Sequence, residues 1–405
     1  MNNSSQVFVA IDIAKRFHEV LIRFPCGKFK NIKIANSRAG FDELIDQVQP
    51  SKHSVIAALE PTGDYHRLIA YWLHDAGVCI HLASSLSAAR AREMLYKTWD
   101  KNDRKDARVI LYLLENKLTL PFHDPLLAGH FDIQELSNTY YQISLARTRC
   151  YHSIVNHYLT LYFPEAERHL YNTRSQWWCN LMIKYPTPSS ITSLSRKQFI
   201  QRAWKVVGRK VAKEQFLLSW YDLAESSIGL PVNADSLAVK TFQLQLNRYL
   251  DLTNQRESLE QTADQTLNED KDYLRLRSLP GVGPIIAMIV LAESGDLRRF
   301  KHYRQYLSFC GFNLSTIQSG NQRGQPKLSK RGNARLRYAW WLAANSAIRQ
   351  RENSFSQKFN RYMKKDPDNA DLKRKGRTAT AVKMARVAHS LIKQQKDYKP
   401  FYEFG

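Results

Sequence analysis

The sequence predicts an α/β domain followed by a mainly helical region. Three observations lead to this prediction. Up to about residue 128, short apolar runs rich in β-branched residues alternate with segments of helical period. Two long runs without proline or glycine follow, at 133–163 and 236–267. Residues 301–405 are strongly basic and place glycine-containing turns between segments of helical period.

The N-terminal elements follow from their residue patterns. Residues 6–13 (QVFVAIDI) are apolar and β-branched, which is typical of a buried strand. Three strands in a meander, followed by alternating strands and helices, predict a mixed sheet covered by helices. The predicted strands are 6–13, 17–24, 28–34, 54–60 and 78–83, and the predicted helices are 39–49, 64–76, 85–96 and 103–117.

The two long runs have apolar residues three and four positions apart, which favours an antiparallel coiled pair or a dimer stalk. Trp177 and Trp178 indicate a helical subdomain between them. Beyond this region the pattern predicts a helix–turn–helix at 273–300, a helix at 334–350, a loop at 366–376 and a basic helix at 377–395. We therefore expect four units, namely 1–128, 129–268, 269–355 and a basic C-terminal helix and tail at 356–405.

Composition excludes several classes of protein. Hydrophobic residues make up 43% of the 405 residues, which excludes a disordered basic tail protein. No run approaches 18 apolar residues, and the N-terminus lacks the pattern of a secretory signal. The five cysteines form no CxxC pair, which argues against a disulfide framework or a zinc knuckle. A reducing cytoplasm is therefore expected.

The excess positive charge is concentrated near the C-terminus. Residues 301–405 contain 23 basic and 6 acidic side chains, so they carry +17 of the formal net charge of +23. This distribution indicates a polyphosphate partner such as nucleic acid. A solubilising face or a flexible tail is the alternative, but the basic residues are interleaved with aromatic ones.

Four acidic residues are candidate metal ligands. Asp12 and Glu60 close two predicted buried strands, where a carboxylate is costly unless it is paired or binds a cation. Asp103 and Asp106 share a face at the start of a predicted helix, where helix capping is an alternative explanation. Together the four would form an oxygen-only site for Mg²⁺ or Mn²⁺. Two such ions could clamp the oxygens of a phosphodiester.

Three segments around these carboxylates, VAIDIAK, ALEPTGDYH and KNDRKDAR, resemble the DEDD pattern of a RuvC-like, RNase H-fold domain. The version they resemble occurs in insertion-sequence 110 family transposases and the related Piv-type DNA invertases. The resemblance implies that Asp12, Glu60, Asp103 and Asp106 are the metal ligands. Asp64 and Asp100 are nearby competitors, and Asn102 replaces a usual threonine.

The segment LPGVGPIIAMIV resembles a helix-hairpin-helix turn. Gly281 and Gly283 would allow backbone amides to approach a phosphate at a helix N-terminus. A plain turn between two helices is the alternative.

Residues 310–337 combine serines, glycines and six Lys or Arg with no acidic residue. A serine beside a glycine can be exposed at a turn, and nearby cations could stabilise charge that develops on phosphorus. A phosphate-binding loop without chemistry explains the same residues.

This segment also resembles the C-terminal transposase domain of the same family, through Gly311, Ser319, Gly320 and the later K-x-G-N-x-x-L-R pattern. The resemblance places the catalytic serine at Ser319, with Ser315 and Ser329 as alternatives. Leu314 and Gln318 depart from the family pattern. The residues we expect to bind nucleic acid are Gly281, Gly283, Arg323, Lys327, Lys330, Arg331, Asn333, Arg335 and Arg337.

The resemblance implies a site-specific recombinase that forms a transient 5′-phosphoserine link with DNA, assisted by Mg²⁺ at the DEDD site. It also implies a bridge RNA that pairs with donor and target DNA, a homo-oligomer built as a dimer of dimers, and a location at the bacterial nucleoid. A metal-only nuclease, in which Ser319 merely binds phosphate, is the main alternative. A nucleic-acid scaffold with a decayed site is another, but all four carboxylates and the serine are present.

Overall fold

The computed structural model describes residues 6–48, 54–96, 103–124, 126, 129–170, 176–208, 212–315, 318–319, 322–323, 327–350 and 353–399. Within these ranges, the side chains of 103–104, 318–319 and 322–323 are not described. The chain divides into two units, 1–128 and 129–405. In the described part of the chain, no helix is long and apolar enough to cross a membrane.

The first unit is a mixed sheet with helices on both faces, as the sequence predicts. Its strands have the order β3-β2-β1-β4-β5-β6, with β1, β4 and β5 parallel and the other neighbouring strands antiparallel. The strands are β1 (Gln6–Asp12), β2 (Phe17–Arg23), β3 (Phe29–Ala35), β4 (Ser54–Leu59), β5 (Cys79–Leu82) and β6 (Leu120–Pro121). The helices are α1 (Arg38–Val48), α2 (Tyr65–Asp75), α3 (Ser85–Tyr96) and α4 (Asp103–Glu115).

Successive side chains of β1 point to opposite faces of the sheet, so the core of this unit has two layers. Val7, Val9 and Ile11 pack with side chains of α1 and α2 on one face. Phe8 and Ala10 pack with side chains of α3 and α4 on the other. The short strand β6 was not predicted, because two residues are too few to produce a periodic pattern.

The second unit is mostly helical and contains two hydrophobic cores. In one core, side chains from the middle of the unit pack around Trp178 and Trp220. In the other, side chains of the C-terminal helices pack around Tyr306 and Trp340. The helices are α5 (Phe131–Ser153), α6 (Thr160–Tyr162), α7 (Gln176–Lys184), α8 (Pro188–Thr192), α9 (Arg196–Ala203), α10 (Lys213–Glu225), α11 (Leu237–Leu267), α12 (Lys271–Arg277), α13 (Pro284–Ser294), α14 (Tyr303–Phe309), α15 (Ala334–Arg349), α16 (Ser354–Met363) and α17 (Ala370–Gln394). A π-helical segment, Ile154–Leu159, joins α5 to α6, and 3₁₀ turns occupy Pro164–His169 and Leu297–Arg299.

The two long helices, α5 and α11, pack antiparallel within one chain. Tyr140 near the start of α5 hydrogen-bonds Glu260 near the end of α11, while Cys150 near the end of α5 contacts Gln245. Between these ends, the Arg147 guanidinium donates to the Thr253 hydroxyl. Their pairing is one of the two arrangements that the sequence predicts, although coiled-coil packing stays a prediction.

The predicted loop at 366–376 is wrong in its second half. Helix α17 begins at Ala370, where the Asn369 side chain accepts from two backbone amides and caps the helix. Gly376 suggests a helix end in sequence, but it is buried inside α17. A Cβ at this position would lie 3.0 Å from the Phe359 ring of α16, so glycine permits the two helices to approach closely. Helix α16 was not predicted from the sequence either.

Candidate functional site

Asp12 and Glu60 lie at the same edge of the sheet. Asp12 ends β1 and Glu60 directly follows β4, and the parallel register pairs Ile11 with Leu59. The next pair in this register is therefore Asp12 and Glu60. Because side chains alternate along a strand, both belong to the face covered by α3 and α4. Both residues are half-buried.

Helix α4 packs on the face of the sheet that carries Asp12 and Glu60, and Asp103 and Asp106 lie in its first turn. Its last residue, Glu115, forms a 2.6 Å ion pair with Arg23, which pairs with Phe8 in the sheet. From Glu115 back to Asp106 the helix rises about 14 Å. From Phe8 to Asp12 the strand spans about 13 Å. Asp106 is thus about as far along α4 from the Arg23 contact as Asp12 is along β1, and Asp103 lies one turn nearer the helix N-terminus.

Asp106 is almost completely buried, with 2% of its surface exposed, and it is paired with Arg92 of α3. Both the Nε and Nη2 atoms of Arg92 lie 2.7 Å from Asp106 Oδ1. This ion pair holds the carboxylate in place and supplies a counter-charge in a buried position. Arg92 was not predicted from the sequence, because no spacing rule relates a residue of α3 to a carboxylate of α4.

A fifth carboxylate, Glu19 of β2, lies directly opposite Asp12 in the antiparallel register. Like Leu21 two residues later, it belongs to the face that α3 and α4 cover. Lys33 of β3 lies 3.6 Å from Glu19 and offsets part of the repulsion between the two acidic residues. The alternation of β2 could have revealed Glu19, but the sequence analysis did not include it.

The donor set at this edge fits a hard divalent cation. Carboxylate oxygens are the ligands that Mg²⁺ and Mn²⁺ prefer. Asp12 and Glu60 present such oxygens at one edge of the sheet, and Asp106 presents others in the first turn of α4. Among the described residues, no three acidic, His or Cys side chains form a ready metal-binding group. The side chain of Asp103 is not described, so this statement does not include it. Of the competitors, exposed Asp64 precedes α2, and Asp100 lies outside the described residues.

Ser319 lies in a short antiparallel ribbon of the second unit. Strand β8 (Gln318–Ser319) pairs with β9 (Gln322–Arg323), and Ser319 is opposite Gln322. Only two residues separate these paired positions, so Ser319 occupies the last pair before the chain reverses. Nearer the helices, β7 (Leu314–Ser315) pairs with β10 (Lys327–Leu328). Gly320, the glycine beside Ser319 in the motif, lies outside the described residues.

Gly311 and Gly332 allow the two ends of the segment that carries Ser319 to pack closely against each other. Gly332 has a φ of +144°, and a Cβ there would lie 2.5 Å from both the Gly311 amide nitrogen and the Phe309 carbonyl oxygen. The Asn333 amide donates to the same Phe309 oxygen at 2.7 Å. Arg337 adds a hydrogen bond from Nη1 to the Cys310 carbonyl oxygen at 3.2 Å. The two ends of the 311–333 segment therefore meet at a fixed point.

Two of the predicted nucleic-acid-binding residues contact a carboxylate of the protein instead. Asn333 caps α15 and donates from Nδ2 to Glu293 at 2.6 Å. Arg335 forms a 3.1 Å ion pair with the other oxygen of Glu293, on α13. These contacts join α13 to α15. Lys327, Lys330 and Arg331 remain exposed, and the side chain of Arg323 is outside the described set.

Gly281 and Gly283 have different roles in the turn between α12 and α13. Gly281 has a φ of +82°, and a Cβ there would lie 2.4 Å from the Ala343 carbonyl oxygen of α15. Gly283 is the N-cap of α13, and a Cβ there would meet no neighbouring atom within 4 Å. Gly281 therefore allows the turn to pack on α15, and only Gly283 leaves space for an approaching phosphate.

This difference leads to a stability prediction. Gly281→Ala should lower the free energy of unfolding by about 2–5 kcal/mol, because it adds a backbone clash to an unfavourable φ. Gly283→Ala is the matched control and should lower it by no more than about 1 kcal/mol. Urea denaturation followed by circular dichroism measures both values. Equal effects on stability would contradict the packing role of Gly281.

Two family models match the chain in order. A model described as "Transposase", of the DEDD type of IS110, matches residues 9–164, and one described as "Transposase IS116/IS110/IS902 family" matches residues 273–360. The first match contains Asp12, Glu60, Asp103 and Asp106, and the second contains Ser319.

Similar proteins carry the same description. The mini-circle putative transposase for IS117 of Streptomyces coelicolor is 27% identical over 366 residues, covering 85% of each chain. The transposase for insertion sequence element IS1111A of Coxiella burnetii is 30% identical, covering 37% of this chain and 42% of its own. A solved structure of T. thermophilus RuvC with a Holliday junction substrate covers 29% of this chain and 99% of its own, at 9% identity and a TM-score of 0.22. That structural likeness carries no functional argument. Through the two ordered family matches and the relative that spans most of both chains, this protein belongs to the IS116/IS110/IS902 family of transposases.

Proposed function

We propose that this transposase is a site-specific recombinase of an insertion sequence, which cuts and rejoins DNA through a covalent phosphoserine at Ser319. The observation that carries the proposal is the position of Ser319, in the last pair of a ribbon whose base is held by Gly311 and Gly332. A serine at the end of such a ribbon is accessible to a bulky phosphodiester, whereas a serine on a packed helix face is not. The match of a transposase family model to 273–360 supports the same assignment.

In the proposed reaction the Ser319 hydroxyl oxygen attacks a DNA phosphorus atom, forming a 5′-phosphoserine and breaking the bond to the 3′ oxygen. The serine proton is transferred, through a base, to the departing 3′ hydroxyl. Attack by a different 3′ hydroxyl reverses the step and rejoins the strands without an external energy source. The exposed cations Lys327, Lys330 and Arg331 would stabilise the negative charge on the phosphate oxygens.

The acidic edge of the first unit would hold Mg²⁺ or Mn²⁺ through Asp12, Glu60, Asp103 and Asp106. When bound, such a cation supplies electrostatic stabilisation to phosphate oxygens. In this unit the ion pair of Arg92 with Asp106 keeps one proposed ligand oriented. We assign the unit to the RuvC-like class on the match of the DEDD family model to residues 9–164.

The proposal extends to the partners of the protein. We propose that a bridge RNA pairs with donor and target DNA at the nucleoid, and that the protein mainly grips the nucleic-acid backbone. The net charge of +17 in residues 301–405 supports backbone binding. We also propose a dimer of dimers, in which the long helices α5 and α11 supply contacts between subunits.

A covalent capture experiment tests the proposed function. The wild-type protein is incubated with end-labelled substrate DNA and Mg²⁺, quenched with denaturant and separated by denaturing electrophoresis. We expect a labelled protein–DNA adduct together with a free 3′ hydroxyl end. Cleavage without any adduct would overturn the serine mechanism and favour a metal-only nuclease.

A further inference from the structure

A cluster of four basic side chains lines a groove between α16 and α17, far along the chain from the proposed nucleophile. The groove has a volume of about 370 Å³ and is lined by Lys358 and Arg361 of α16 and by Lys383 and Arg386 of α17. The other lining groups, which include Ser354, Gln357 and Tyr362, are neutral. The walls therefore offer hydrogen-bond donors and positive charge but no carboxylate.

The cations of this groove repel one another. Burial, followed by repulsion from Arg386 and Arg361, lowers the pKa of Lys358. Burial, followed by repulsion from Lys358, Arg361 and Arg386, lowers the pKa of Lys383. Every charged neighbour that shifts these two groups is itself a cation. Holding like charges together is unfavourable until an anion occupies the space between them.

Other basic residues of the same region have acidic partners. Arg335 pairs with Glu293, and Arg374 and Lys375 both pair with Asp371 at the start of α17. None of the ion pairs seen in the described ranges involves the four cations of the groove. Lys383 is held by a hydrogen bond to the Ser354 carbonyl oxygen and by the Phe355 ring, so its charge is positioned but not neutralised.

A second groove continues the basic surface along α17. It has a volume of about 480 Å³, shares Arg386 with the first, and is lined also by Lys301 and Lys393. Arg386 lies over the Tyr303 ring, which fixes it between the two grooves. From Lys383 to Lys393 the helix rises about 15 Å. The same length of duplex DNA carries about nine phosphate charges.

We propose that these two grooves form a docking surface for the phosphodiester backbone of duplex DNA, built from residues other than those of the proposed strand-exchange segment. The inference rests on the proposed function, since DNA is the substrate that a transposase must hold. A polyanion matches the surface because its charges are spaced along a line, as the cations are along α17. Each groove has a single amide in its lining, Gln357 or Gln394, and we expect the Lys and Arg side chains to contact phosphate oxygens, which carry no sequence information.

The test compares two double variants of equal charge. Arg361→Gln with Arg386→Gln removes two exposed cations of the first groove. Arg374→Gln with Lys375→Gln removes two exposed cations of α17 that are paired with Asp371, and serves as the control. Affinity for a labelled DNA duplex of arbitrary sequence is measured over a series of salt concentrations. We expect the groove variant to bind on the order of 10-fold more weakly at 0.15 M salt, with a salt slope smaller by about 2.

The control variant should bind DNA within about twofold of wild type, since its cations are already neutralised. Equal loss of DNA affinity in both variants would overturn the proposal, as would unchanged affinity in the groove variant. Loss of binding to a structured RNA hairpin with DNA affinity retained would overturn the assignment to DNA. The adduct assay on wild type is run in parallel: its failure alone would reject the serine mechanism and leave the docking surface standing.

Discussion

Replacing Ser319 with alanine should abolish the covalent protein–DNA adduct and lower strand exchange by at least about 10³-fold. The change removes the hydroxyl oxygen that the proposed phosphoserine requires, and leaves a methyl group at the same point of the ribbon. The measurement is denaturing electrophoresis of quenched reactions with end-labelled DNA. DNA binding by the variant should equal that of wild type, because alanine leaves the basic residues of the segment unchanged.

The matched control for this variant is Ser315→Ala. Ser315 lies in the neighbouring strand pair β7–β10, is exposed, and within the described ranges donates one hydrogen bond, to the Lys327 carbonyl oxygen at 3.2 Å. Its loss should leave adduct formation within about threefold of wild type. An adduct that persists in Ser319→Ala and disappears in Ser315→Ala would move the nucleophile four residues earlier.

Replacing Asp12 with asparagine should lower Mg²⁺-dependent cleavage by about 10²–10³-fold, with little change in thermal stability. Asparagine has almost the same shape but lacks the negative charge that a divalent cation requires. Cleavage rates across a series of Mg²⁺ concentrations, together with a thermal melt, measure the two effects separately. Unchanged turnover at every Mg²⁺ concentration would reject Asp12 as a ligand.

Asp106→Asn does not test the metal site as cleanly. The Asp106 carboxylate is paired with Arg92, whose side chain is only 17% exposed, and neutralising it leaves a largely buried guanidinium without its counter-charge. We expect a loss of about 3 kcal/mol in the free energy of unfolding from this variant. The double change Arg92→Gln with Asp106→Asn should recover part of that stability while cleavage stays low. A contribution of Asp106 to chemistry can thus be separated from its contribution to folding.

Local pattern accounts for most of the first unit. The strands at Gln6–Asp12 and Ser54–Leu59 begin and end within one residue of the predicted bounds, because a buried strand is marked by β-branched residues and ended by turn residues. The same pattern places Asp12 and Glu60 at strand ends, and parallel strands bring those ends to one edge. This part of the candidate site could therefore be predicted without a structure.

Contacts between elements distant in sequence could not be predicted in this way. The Arg92–Asp106 pair depends on how α3 packs against α4, and Glu19 became part of the acidic edge only through its register with Asp12. Gly281 resembles a phosphate-binding glycine in sequence, yet its space is occupied by the backbone of α15. Gly376 suggests a break in sequence, yet it lies inside α17 where Phe359 packs against it.

The sequence by itself determined the family, the order of the acidic and serine segments, and the concentration of charge after residue 300. These features depend on residue identity and local spacing, which a chain carries before it folds. Only the tertiary structure decided which basic residues have partners. Arg335 is paired with Glu293, whereas Lys358, Arg361, Lys383 and Arg386 face one another across a groove. The physical reason is that a charge is neutralised by its neighbours in space, and helix packing brings together residues that are more than 20 positions apart in sequence.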